Sequence, residues 1–292
     1  MVLLLALTAV FFLVRLTGDP TLLFVPEGST QQEIAQLRHA FGFDQPPWRQ
    51  YMRFVSGAVR GDFGKSLRYD RPAVTMVMER IPDTAELGGA TLAIIVLTAV
   101  PLGLLAATNR NSWWDTGSMV AAIMGQSMPS YWLGIMLILL FAVRFGWLPA
   151  AGRTDWSSVI LPAVTLSTYS AARLARVVRS EMLDVLGREF IRTAQAKGLS
   201  RVVVLGKHAM RNALIPVVTL LGLETGFLLG GAIIVETVFA WPGIGNLVIQ
   251  AVNNRDYPVV QVDAFLMAGI FVLANVGIDL LYGVLDPRVR YD

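Results

Sequence analysis

From Leu87 to Thr108, and again from Thr116 to Val143, the chain runs without a single charged residue. The hydrocarbon of a bilayer is about 30 Å thick and is crossed by about 20 mostly apolar residues. A soluble fold can bury one such helix, but it must still cover its surface with polar groups. Here only 15% of the 292 residues are charged, and they are clustered, while 54% are hydrophobic. An average soluble domain has roughly 25% charged residues. The fold class expected is therefore all-α, a polytopic membrane protein with about six transmembrane helices. A β-barrel would need many more short alternating segments, and none alternates throughout.

Spans are expected at residues 1–16, 85–107, 118–143, 159–178, 213–235 and 263–285. The first has no basic leader and no cleavage site before Gly18, so it reads as a retained anchor. It is short for a span, and a start upstream of Met1 is expected. Residues 17–84 have mixed polarity and form an extracytoplasmic segment, with amphipathic helices over 30–41 and 48–59. Residues 85–292 form a five-helix core, and Pro101, Pro129 and Pro162 are expected to kink or interrupt its spans. Its loop 181–212 belongs to a basic block between Arg173 and Arg211. Lys and Arg accumulate on the cytoplasmic side, which assigns that block to a cytoplasmic loop and not to nucleic-acid binding. Both termini are then cytoplasmic.

Several chemistries are excluded. The chain has no cysteine, and its two histidines, His39 and His208, lie outside the spans. That removes a disulfide scaffold, a thiolate metal site and an intramembrane enzyme built on His. Gly64-Lys65-Ser66 has the end of a phosphate-binding loop, but Val59 stands where the first glycine belongs. No cofactor and no metal are expected in this chain.

The loop sequence Glu189–Pro216, EFIRTAQAKGLSRVVVLGKHAMRNALIP, reads as a short helix, a break at Gly198, and a second amphipathic helix entering the fifth span. Ala194 and Ala196 keep the surface small, and Gly198 can take the φ > 0 that ends a helix. The run Arg192-Thr193-Ala194-Gln195-Ala196-Lys197-Gly198, with His208, Arg211 to Leu214 and Pro216, resembles the "EAA" loop of ATP-binding-cassette permeases. The variant it is similar to is that of the dipeptide/oligopeptide/nickel importers. Gly18-Asp19-Pro20, Gly61 to Gly64, Val235-Glu236, Trp241-Pro242-Gly243 and Asp286 to Tyr291 fall in the matching order. The general motif begins Glu-Ala-Ala, where this chain has Thr193-Ala194-Gln195.

The resemblance implies a type I importer permease fold in the bacterial inner membrane. It implies a second homologous permease, two ATP-binding subunits holding ATP and Mg, and an extracytoplasmic substrate-binding protein. Arg192, Thr193, Ala194, Ala196, Lys197, Gly198 and Leu199 would then couple the pore to the ATPases. The substrate class spans peptides, glutathione, nickel chelates and oligosaccharides. An ion-coupled transporter or channel is the rival, but such proteins place several ionisable groups at mid-membrane.

Within the fifth span, Gly222, Gly226 and Gly230 form a small-residue stripe that permits close helix packing, inside the chain or against a second permease. Glu224 lies mid-span on roughly the opposite face. It is a pore contact to a cationic group of the solute, an interhelical hydrogen-bond partner, or a residue placed at the membrane interface. Glu236, Trp241, Pro242 and Gly243 follow the span and are candidates for an outer gate or a binding-protein contact.

Overall fold

The structure is a computed structural model that describes residues 2–23, 25 and 29–285. It is 79% helical, and among the described residues the only strand-like pairing is one isolated bridge between Lys65 and Pro72. Contacts divide the chain into two compact units, Met1–Thr84 with Pro242–Ile270, and Ala85–Trp241 with Phe271–Asp292.

In the first unit, α1 (Val2–Leu16) carries Phe11, which is fully buried against Tyr51 and Phe54 of α3 (Pro47–Val59) at ring-centroid distances of 5.1 and 5.5 Å. The amphipathic α2 (Gln31–Phe41) starts at a capping box between Thr30 and Glu33 and stops at Gly42, whose φ is +73°. Both helices follow the alternation of apolar and charged residues; α2 is bounded by its capping box and Gly42, while α3 has no side-chain cap and starts on Pro47. The Gly18-Asp19-Pro20 turn is clamped from the far end of the chain: Arg255 donates to the Asp19 carbonyl at 3.0 Å, and the Tyr257 hydroxyl donates to the Gly18 carbonyl. Ser66 donates to the buried Asp256 carboxylate at 2.5 Å, tying the 64–72 loop to the same place. The short α4 (Ala73–Met78) follows that loop.

Residues 244–253, between the expected spans 213–235 and 263–285, form α12 (Ile244–Asn253). Ile244, Leu247 and Ala251 make its buried face. Ten residues after a Trp-Pro-Gly turn are too short for a span, and nothing in span counting marks them. The last long helix, α13 (Tyr257–Leu285), starts six residues before the expected Asp263. Apolarity drops at a charge, but helical hydrogen bonding does not.

The second unit is built on α5 (Ile81–Thr108), α6 (Trp113–Ser127), α7 (Ser130–Leu137), α8 (Ile160–Leu186) and α11 (Met210–Val238). By length and apolarity, the helical stretches Ala73–Thr108 and Tyr257–Gly277 could each cross a membrane. The expected third span is not straight: it breaks between Ser127 and Ser130 and turns through 103°. Pro129 forces Met128 into an extended conformation, φ −82° and ψ 126°, as a following proline does. Pro162 breaks nothing, because it lies in the first turn of α8, where its missing N–H has no helical partner to lose. With 27 residues, α8 is about 40 Å long at 1.5 Å per residue.

Gly103 decides how closely α5 meets α8. A Cβ there would stand 2.6 Å from the Ala175 carbonyl oxygen and 2.6 Å from the Val178 Cβ. Gly103→Ala is therefore expected to lower stability by about 1–3 kcal/mol through overpacking. Gly88→Ala on the same helix meets nothing within 4 Å and is expected to be neutral or slightly stabilising. Thermal melts of the two variants in detergent check the difference.

In the Gly18 turn, burial opposes ionisation of Asp19, but hydrogen bonds from the Thr21 hydroxyl and backbone N–H and from Arg38 outweigh it. Together they hold the carboxyl below the usual range. A depressed folded pKa contributes stability above about pH 4, the unfolded aspartate value, and loses it as pH falls through the folded value. Proteolysis of residues 17–45 is expected to accelerate on acidification below that point, and less so in Asp19→Asn.

Candidate functional site

Two features of the second unit could do work: an exposed turn between α8 and α11, and a ladder of arginines on α8.

The turn begins with α9 (Glu189–Ala196), two residues after α8 ends. Ile191 and Ala194, three residues apart, are 1% and 6% exposed and fix this helix on the core. Arg192, Thr193, Ala196, Lys197, Gly198 and Leu199 are all on the exposed side. Gly198, at φ +75°, closes the helix: its N–H reaches the Gln195 carbonyl and the Leu199 N–H reaches the Ala194 carbonyl. That pair of bonds is a Schellman motif, and the left-handed position is why glycine stands there. Space around the missing Gly198 Cβ is empty to 4 Å. The chain then passes through α10 (Arg201–Val203) and a π-helical turn, Val204–Ala209, directly into α11. Val204 and Ala209 are buried, so the π turn is packed against the core.

Higher on α8, Arg173, Arg176 and Arg179 recur at three-residue steps. Arg173 donates to Glu224 of α11 at 3.0 Å, and Ser170 donates to the other oxygen of that carboxylate at 2.5 Å. Glu224 is 1% exposed, so it is engaged by α8 and not open at the surface of the chain. Arg179 grips Asp115 of α6 with two bonds, 2.5 and 2.8 Å. Arg176 donates to the Gln126 amide oxygen at 2.5 Å. The sequence reading counted these arginines as loop charge and missed their pairing; the 173/176/179 spacing on one helix was the available signal. Gln126 also lines a cavity of about 660 Å³ at the break between α6 and α7, with Ser127, Ser130, Thr168 and Tyr169 among its walls.

Of the glycine stripe, Gly226 meets α13, where a Cβ would come within 2.7 Å of the Phe271 ring. Gly222 is half-buried, and Gly230 falls outside the residues whose surroundings are described. Glu236, Trp241 and Gly243 are buried and Pro242 is half-buried. Little of that segment is a surface that a partner could touch.

Residues 99–291 match the family described as binding-protein-dependent transport system inner membrane component, and residues 1–88 match the N-terminal region of such components. This chain belongs to that permease family. The glutathione transport system permease protein GsiC of Escherichia coli strain K12 is 42% identical over 280 residues, 96% of this chain and 92% of GsiC. GsiC of Shigella dysenteriae serotype 1 matches equally. The fold is similar to that of the inward-facing MetNI methionine transporter, with TM-score 0.61 and 17% identity over 72% of this chain and 96% of the other. It is also similar to an amino acid ABC transporter, with TM-score 0.54 and 16% identity over 74% and 94%. The protein is thus a pore-forming inner-membrane permease subunit of an ATP-driven importer of the peptide/nickel class.

For a permease, the Glu224 contact is a joint between two long helices of the core, α8 and α11. Removing one partner of a buried charge pair leaves the other uncompensated. Because Arg173 is 45% exposed, water takes up part of that loss, and Glu224→Leu is expected to cost about 1–3 kcal/mol. The double variant Glu224→Leu with Arg173→Leu should recover much of it. A double-mutant cycle of melting temperatures reads the coupling, and additive losses would show that the two side chains do not act as a pair.

Proposed function

We propose that this permease carries a peptide-like solute, such as the glutathione for which its Escherichia coli relatives are named, across the cytoplasmic membrane by alternating access. A second homologous permease completes the pore. Two ATP-binding subunits with their ATP and Mg dock on the α9–Gly198 turn, and an extracytoplasmic binding protein delivers the solute. Both termini and the α9 turn then face the cytoplasm, and residues 17–84 lie outside.

The observation that carries this reading is the exposed Schellman turn at Gly198, joined without slack to α8 on one side and α11 on the other. A partner cleft that closes on ATP presses Arg192 to Leu199. Ile191 and Ala194, seated in the core, pass the displacement on to both long helices. ATP shifts the equilibrium because the partner subunits bind it differently in the two states. Arg192 and Lys197 give the exposed face a charge for an acidic partner surface.

Purification of the chain in mild detergent is expected to bring down a second permease and two ATPase chains. Gly198→Trp places bulk on the docking face; its Cβ has open space within 4 Å, and the left-handed backbone penalty is about 1–2 kcal/mol. Membrane insertion should persist while uptake collapses and ATP hydrolysis continues uncoupled. Gly198→Asn, which tolerates the same backbone, should keep most of the uptake. Normal uptake by Gly198→Trp would falsify the docking role.

A further inference from the structure

Of the three arginines on α8, two are neutralised by carboxylates, Arg173 by Glu224 and Arg179 by Asp115. Arg176 is not. It is exposed, and among the described residues its polar partner is the neutral Gln126 amide, which accepts one of five guanidinium N–H donors. An unpaired guanidinium is costly to bury in apolar surroundings, so this face of α8 meets water or a polar partner. That partner, Gln126, also forms part of the wall of the 660 Å³ cavity. The interrupted backbone at Met128 and Pro129 lines the same cavity. Non-helical backbone at membrane depth is tolerated where it borders a watered space or protein. No Asp, Glu, Lys or Arg is among the residues lining the cavity. The Arg176 guanidinium stands one hydrogen bond behind that wall, on Gln126, and a positive charge so close to a wall without charges gives the field inside its sign.

We propose that Arg176, presented by Gln126, is the specificity-determining cation of the translocation path and receives the carboxylate of the solute as it passes the α6–α7 break. Resting on the reading of the chain as a permease for peptide-like cargo, this names the group of that cargo that is recognised. The planar guanidinium fork matches a carboxylate, while the neutral hydroxyls of Ser130, Thr168 and Tyr169 suit the amide groups that follow. Arg173 and Arg179 cannot take this part without abandoning Glu224 and Asp115.

The chain has no cysteine, so Ser127→Cys, one residue from Gln126 on the cavity wall, provides a single thiol. The whole transporter is placed in nanodiscs of uncharged phosphatidylcholine and labelled with anionic ethylsulfonate or cationic trimethylammonium-ethyl methanethiosulfonate. Intact mass of this chain reads the two rates. Relative to a free thiol in solution, the anionic reagent is expected to gain about five-fold or more over the cationic one, and Arg176→Gln should remove most of that gain. A free-thiol ratio, unchanged by Arg176→Gln, overturns the proposal. In proteoliposomes, Arg176→Gln is also expected to reduce uptake of triglycine several-fold and leave its C-terminal amide unaffected. Equal effects on both peptides would overturn the carboxylate assignment. Failure of the wild type to carry either peptide would count against the peptide-cargo reading, while the labelling ratio still decides the field.

Discussion

Charge neutralisation along α8 is the constraint on which the second unit rests. A long helix packed among apolar neighbours cannot carry three arginines unless each guanidinium is matched or kept in water. The matches come from different helices: Glu224 on α11 and Asp115 on α6. Each contact therefore satisfies a charge and also fixes a helix in place. Apolar packing alone would leave α8 free to rotate among similar contacts, since lipid tails offer no penalty against an apolar face. The ion pairs choose one rotation, the one that also brings the α5 backbone against α8 at Gly103.

In the proposed coupling, the same arrangement lets a small element at one end act on a long bundle. The turn at α9 has few buried residues, but Ile191 and Ala194 are both in the core, and the links to α8 and α11 are too short to absorb motion. Glu224 and Arg173 then keep α8 and α11 together higher up. Such a lever needs stiffness along the helices and a compliant joint elsewhere. The break at Pro129 supplies the joint, because α7 can change its angle to α6 without breaking a helical hydrogen bond.

Much of this was legible in the sequence where a residue type has one physical use. The amphipathic pattern over 30–41, and Gly198 after a run of helix formers, marked helix ends that the structure reproduces to within a residue or so. Uncharged stretches located the long helices. Three features were not legible. The ten residues of α12 are too short for a hydropathy window and follow a sequence that resembles a turn. Pro162 looked like a kink because a proline's effect depends on its distance from the helix start, which composition does not reveal. The partners of Glu224 and Asp115 lie 51 and 64 positions away in the chain. Pairing at that range depends on helix rotation, and one sequence without that rotation offers many equivalent arginines.

Arg179 and Arg176 both reach α6, to Asp115 and Gln126, on either side of the apolar residues between. With two polar attachments separated by eleven positions on α6, about three turns, α6 is held to α8 along most of its length and is bound to follow it. The helix beyond Pro129 has no such polar attachment to α8 among the described contacts; Gly134 lets it pack on Thr165 of α8 and on Phe239 by apolar contact alone. A tilt of α8 carries α6 with it, while the apolar contacts of α7 can slide, so any difference between the two is taken up in the angle at Met128–Pro129. That angle borders the cavity. The neutral contact at Gln126 is the one rung where the attachment can exchange for another oxygen without stranding a buried charge, and it stands beside the α6–α7 break.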